Sequence, residues 1–316
     1  MRTRFRGIDE RQGMVWRGAA GWAEWSPFLD YDGPELVPWW RAAVEAAEVG
    51  WPEPVRSRIP VNSTVPALPP DRARALAAAA GCRTAKVKVA ERGQTLADDL
   101  ARAEAVRDAL GPAGRIRVDA NGGWTVDEAE TAVRRLARFG LEYVEQPCAS
   151  VEELADLRRR LARAGVNVLI AADESIRRAE DPYRVRELEA ADVAVLKVQP
   201  LGGVRACLEI AERIGLPVVV SSALETSVGI RAGVALAAAL PELPYACGLN
   251  TVPLLAADLA VTPLVARDGA LEVTDLAPAE ERLAEHGASP SVDALWQARL
   301  VRTRELAEST RAVRRG

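Results

Sequence analysis

Three lysines and three carboxylates, standing in or at the ends of short apolar runs, are the residues of this 316-residue chain best placed to do chemistry. Lys86, Lys88 and Lys197 are its only lysines; the rest of the 41 basic side chains are arginine. A GC-rich genome accounts for the arginine excess. It does not account for the lysines lying inside strand-like segments, AKVKV (85–89) and VAVLKV (193–198). Arginine keeps its proton at any accessible pH, whereas lysine can be brought to titrate near neutrality by burial or neighbouring charge. A proton acceptor is thus a job arginine cannot take. The acids Asp119, Glu145 and Asp173 stand at the ends of three successive runs, RIRVD, EYVEQ and VLIAAD. Brought together they would raise one another's pKa, a conflict that a hard divalent cation removes. An all-oxygen set suits Mg²⁺, with Mn²⁺ able to substitute, rather than zinc. The plain alternative is three acids that each cap the following helix.

Other chemistries lack their parts. The single histidine, His286, lies in the polar stretch EHGASP, so Ser-His-Asp hydrolysis and His-ligated zinc are hard to build. The four cysteines (Cys82, Cys148, Cys207, Cys247) are scattered without a metal-type spacing and read as reduced and buried. With 41 basic against 45 acidic residues there is no electrostatic footprint for nucleic acid. No run approaches the roughly 18 apolar residues of a spanning helix, and no apolar stretch follows the basic N-terminus as in a signal peptide. The expected setting is cytoplasmic, with a small-molecule carboxylate substrate, no membrane and no evident oligomeric partner.

The elements that must position these residues follow a rhythm. β-rich runs appear at 61–65, 85–89, 115–119, 142–146, 168–173, 193–198, 217–222 and, weakly, 245–249, alternating with helical-period stretches such as LADDLARAEAVRDAL. Eight such runs, spaced by about 24 to 30 residues, predict parallel βα units closing into a TIM-type (β/α) barrel over 61–254. An open doubly wound sheet is the alternative, but no GxGxxG or Walker loop follows any strand. Residues 1–60 differ: they hold Trp16, Trp22, Trp25, Trp39, Trp40 and Trp51. MVWRGAAGWAEWSPF predicts one or two short strands about a glycine turn, and ELVPWWRAAVEAAEVG an amphipathic helix. This is a small N-terminal α+β capping domain, on which the segment from about 255 to 316 is expected to pack back. Gly18 and Gly21 suggest a mobile lid there.

In a parallel barrel the active site lies at the carboxyl ends of the strands. Strands two and six face each other across the mouth, which sets Lys88 and Lys197 on opposite sides of the carboxylates. A carboxylate substrate on the cation would then meet a lysine at each face. The cation takes up charge as an α-proton leaves. Lys86 shares strand parity with Lys88, so the two ammonium groups, with the cation, would disfavour protonation of Lys88. Arg117 is in phase with Asp119 and should point inward to hold an acid or a substrate carboxylate, with a buried ion pair to a metal ligand as the alternative.

KVK (86–88), VDANGGW (118–124), VEQP (144–147), ADES (172–175) and LKVQPLGG (196–203) together resemble the muconate-lactonising subgroup of the enolase superfamily, in order over about residues 60–250. The resemblance implies a modified, enolase-like barrel with Lys88 as acid/base and Lys197 across the site. It implies Asp119, Glu145 and Asp173 as metal ligands, with Asn121 and Glu174 behind them. The N-terminal module matches the family's capping domain, though it is unusually short.

The subgroup includes cycloisomerases, dipeptide epimerases, N-acylamino-acid racemases and o-succinylbenzoate synthase. VVVSSALETSVG (218–229) looks like the loop of the synthase in which small residues and backbone amides meet a succinyl carboxylate, implicating Ser222 with Gly248. A serine-capped strand-to-helix turn is the alternative reading of the same residues. The paired aspartates of the dipeptide epimerases are replaced by YACGLNTVPLL. The activity implied is therefore a hydro-lyase step of menaquinone synthesis, with racemisation of N-succinylamino acids as its closest rival. A catalytically silent scaffold is the remaining class.

Overall fold

A computed structural model of the chain describes residues 1–5, 7–179 and 181–313. Its N-terminal module opens with an antiparallel hairpin, β1 (Met14–Arg17) against β2 (Trp22–Trp25), paired Met14 to Trp25. Helix α1 (Leu36–Val44) follows and runs into a wider helical turn that ends at Gly50, whose φ of 74° suits glycine.

The barrel strands are β3 (Arg58–Val65), β4 (Thr84–Lys88), β5 (Arg115–Asp119), β6 (Leu141–Glu145), β7 (Ile170–Ala172), β8 (Val193–Leu196), β9 (Val218–Val220) and β10 (Cys247–Asn250). They pair in parallel in the order β10-β3-β4-β5-β6-β7-β8-β9, and the Ser221–Gly248 bridge closes the ring. All eight strands anticipated from the sequence are present. Side chains alternate along each strand: Ala85 and Val87 face the helices, and Lys86 and Lys88 face the interior. Capping boxes at Thr95/Asp98, Thr125/Glu128 and Ser150/Glu153 start three of the outer helices, α2 (Leu96–Leu110), α3 (Val126–Leu136) and α4 (Val151–Arg163).

The C-terminal segment divides. Strand β11 (Ala270–Glu272) pairs antiparallel with β3 of the barrel, because the outer edge of β3 at Arg58–Pro60 is left open there. The final helix (Pro290–Val313) returns to the N-terminal module, where Trp296 meets Trp25 edge-on at 5.4 Å. Trp25, Tyr31, Trp39 and Trp296 thus form a second core beside that of the barrel. The two are joined at Glu24 of β2. Its carboxylate accepts from Ser26 Oγ, Thr226 N and Oγ1, and Gly229 N, at the start of α6 (Ser227–Ala239). A Cβ on Gly229 would come within 2.9 Å of the Glu24 carboxyl carbon.

Candidate active site

Register places the chemistry. Lys88 of β4 pairs with Asp119 of β5, and Asp119 with Glu145 of β6, so all three reach the same level of the barrel. Asp173 and Lys197 follow β7 and β8 by one residue. All five, and Lys86, are buried. β4 and β8 are four apart in the ring, so Lys88 and Lys197 enter from opposite sides.

Every carboxylate is met by an ammonium. Lys86 Nζ donates to both oxygens of Glu145, at 2.7 and 2.9 Å, and lies 3.4 Å from Asp119 Oδ2. Lys88 bonds that same Oδ2 and donates to Asn121 Oδ1 at 2.7 Å. Lys197 Nζ donates to Asp173 Oδ2 at 2.6 Å, and Arg177 Nε to Oδ1 at 3.0 Å. Burial would raise Asp119, but Lys88 and Lys86 hold it far below the carboxylate range; Arg177 and Lys197 do the same for Asp173. Glu145 goes the other way. Burial, then the facing Asp119, push it up to about 7 against the pull of Lys86.

Among the described residues the acids do not stand as a ready-made three-ligand cluster. The donor set nonetheless fits a divalent cation. Asp119, Glu145 and Asp173 are buried at the ends of successive strands and offer only oxygen, the donor type a hard divalent cation takes.

Phe5, Phe28, Thr64, Ser222, Gly248 and Thr251 complete the walls of a cavity of about 30 Å³ above the lysines. That is room for water-sized molecules and too little for a ring-sized substrate. Ser222 N donates to the Gly248 carbonyl at 3.1 Å, and Ser222 Oγ lies 2.7 Å from Thr251 Oγ1. The Phe5 ring sits 5.2 Å from Lys88 Nζ. The cover over the site is thus made by Phe5 and Phe28. The Gly18–Gly21 turn lies elsewhere, bonded through Ala20 N to Ala47 O beyond α1, because a close backbone approach at Gly18 leaves no space for a side chain.

Two stretches of the chain match two family descriptions: Enolase N-terminal domain-like over residues 1–47 and Enolase C-terminal domain-like over residues 70–278. The chain belongs to the enolase superfamily. It is similar to an o-succinylbenzoate synthase of Thermobifida fusca, 64% identical over 96% of this chain and 93% of that one. It is similar also to an o-succinylbenzoate synthase of Mycobacterium ulcerans, 54% identical over 94% of this chain and 88% of that one. A muconate cycloisomerase from Pseudomonas fluorescens superposes with a TM-score of 0.72 at 25% identity, covering 86% of this chain and 92% of that one.

Within this superfamily site the sequence reading brought together Lys86, Lys88, Asp119, Glu145, Asp173 and Lys197, with Asn121 and Glu174 beside them. Asn121 Nδ2 donates to Glu174 Oε1 at 3.2 Å. Arg117 lies one inward position below Asp119. It pairs with Glu142 at 2.5 Å, donates to Asn62 and the Ala246 carbonyl, and stacks on Tyr143 at 4.7 Å. The acid it holds is thus Glu142 rather than one of the three strand-end carboxylates. Gln146, Arg177 and Tyr31 were missed. Gln146 Oε1 accepts from Asp173 N and Ser175 N, fixing the turn that carries Asp173. It adjoins Glu145 in VEQP, so that string held the signal.

Proposed function

We propose that the protein is an o-succinylbenzoate synthase, a hydro-lyase that removes water from 2-succinyl-6-hydroxy-2,4-cyclohexadiene-1-carboxylate to give o-succinylbenzoate. The observation that carries this reading is the 64% identity to a synthase across 96% of the chain, beside a barrel mouth that gathers three lysines and three acids. A divalent cation on Asp119, Glu145 and Asp173, Mg²⁺ or Mn²⁺, would supply a Lewis acid that draws charge onto the ring carboxylate.

The chain's own groups do the rest. Lys88 Nζ takes the proton from the carbon bearing that carboxylate, and the same Nζ returns it to the departing hydroxyl on that face. The ring C–H and C–O bonds break, the new ring double bond completes the aromatic system, and water leaves. Lys197 stays an ammonium and stabilises the anionic intermediate from the opposite face. Lys86 stays an ammonium too, since Glu145 and Asp119 outweigh its burial and raise it above the lysine range. Asn121 orients Lys88, and Ser222 with Gly248 faces the succinyl carboxylate. The small cavity must widen to admit substrate, and Phe5 and Phe28 are its aromatic walls. Menaquinone synthesis in the cytoplasm is the setting this reading implies; among the described residues no helix is long and apolar enough to cross a membrane.

A lysine on each face also suits an N-acylamino-acid racemase. Lys197→Arg separates the two readings. Arginine keeps the charge but cannot exchange a proton, so the synthase retains part of its dehydration rate while a racemase loses its activity. Complete loss of dehydration in a folded Lys197→Arg protein counts against the electrostatic role of Lys197.

A further inference from the structure

Asp173 is held from two sides, by Lys197 on one oxygen and by Arg177 on the other. Arg177 belongs to the short helix α5 (Glu174–Arg177), and its side chain is 1% exposed. Its Nη2 donates to Glu174 Oε1 at 2.5 Å and its Nη1 bonds the hydroxyl of Tyr31, 146 residues away in the capping module. A chain of contacts therefore crosses the barrel mouth: Lys88 to Asn121, Asn121 to Glu174, Glu174 to Arg177, Arg177 to Asp173, Asp173 to Lys197.

Tyr31 is well anchored. Its ring meets Trp39 edge-on at 5.1 Å, and its hydroxyl also accepts from Arg178 Nε at 3.0 Å. Arg299 of the C-terminal helix donates to the carbonyls of Phe28 and Tyr31. One loop thus carries both Phe28, which covers the cavity, and Tyr31, which seats Arg177. A guanidinium stays charged and offers a rigid fork of donors, so it fixes Asp173 Oδ1 and Glu174 Oε1 together. With Oδ1 fixed by Arg177, a cation bound at Asp173 would take Oδ2 in exchange for its bond from Lys197.

We infer that Arg177, seated by Tyr31, is a positioning residue that sets Asp173 for the divalent cation and couples cation binding to docking of the capping loop. This rests on the metal reading above. Coupling is reciprocal, so a bound cation should hold the Tyr31 loop more tightly in place.

The test is Mg²⁺ titration by calorimetry of the full-length wild type, Tyr31→Phe and Arg177→Lys, with amide hydrogen exchange in the 28–31 loop followed with and without Mg²⁺. Groups behind metal ligands typically contribute roughly 10–100-fold in affinity. Arg177→Lys should weaken binding within that range, and Tyr31→Phe, which removes one hydroxyl, by roughly tenfold, at its lower end. Mg²⁺ should slow exchange in the loop of the wild type and not in Tyr31→Phe. A merely structural tyrosine would lower the melting temperature and leave this Mg²⁺ response intact. Wild-type affinity and a wild-type exchange response in a folded Tyr31→Phe protein would overturn the inference while the metal reading stands. No binding by the wild type would overturn the metal reading, and the inference with it.

Discussion

The ammonium of Lys86 straddles the carboxylate of Glu145, donating to one oxygen at 2.7 Å and to the other at 2.9 Å. This pair occupies the centre of a cluster otherwise too rich in negative charge. It also keeps one fixed cation beside Lys88, since both lysines reach the same oxygen of Asp119.

Lys86→Met should therefore destabilise the metal-free protein. Breaking a buried pair by removing one partner costs about 3–5 kcal/mol, because the other charge is left uncompensated. Mg²⁺ should restore more stability to this variant than it adds to the wild type. Denaturant unfolding with and without Mg²⁺ checks this; equal Mg²⁺ gains in the two proteins would sink it.

Lys88→Ala removes the group proposed to take and return the proton. General acid–base groups contribute roughly 10²–10⁴-fold, so kcat should fall at least that far while the fold and Mg²⁺ binding persist. A fall of less than tenfold would move the proton transfer to another residue.

Much of this was readable beforehand, for a physical reason. A barrel strand is buried on both faces, so a charge in it is costly and has to be explained by function. Lys86, Lys88 and Lys197 stood out on that ground alone, and each strand-end acid had its place in the βα rhythm. Arg177 did not, being one arginine among many on a helical turn. Its meaning lies in Tyr31, and nothing in local periodicity joins residues 146 apart. Arg117 was legible as an inward arginine that holds an acid, but that the acid is Glu142 of the neighbouring strand was not. The cover over the site was misplaced at Gly18 and Gly21 because glycine signals a turn, whether that turn moves or packs closely. β11 was legible as a strand, but its pairing with β3 is tertiary.

Ser222→Ala should raise KM with little change in kcat. Its hydroxyl lies 2.7 Å from Thr251, and in the proposed reading it meets the non-reacting end of the substrate, where binding is uniform between ground and transition states. Losing a hydrogen bond to a charged group costs about 1.5–3 kcal/mol, or roughly 10–150-fold in KM. A fall in kcat at constant KM would place Ser222 near the reacting carbon instead.

Glu24 gives a pH dependence remote from the metal site. Burial pushes it up to about 7 from 4.5, with Thr226 opposing and Glu225 assisting. A raised acid binds its proton more tightly in the folded state. Its contribution is full below pH 4.5 and is lost as pH rises through about 7. Wild-type stability relative to Glu24→Gln should fall by up to about 3 kcal/mol across that window. A stability difference that stays flat from pH 4.5 to 7 would contradict the shift.

The most direct test supplies the purified protein with the cyclohexadiene substrate and Mg²⁺, beside N-succinyl amino acids under the same conditions. Appearance of the aromatic product is followed in one reaction and loss of optical rotation in the other. The account expects rapid dehydration that stops when the cation is chelated, with racemisation slow or absent. Fast racemisation without dehydration would keep the fold, the lysines and the acids, and would contradict the synthase.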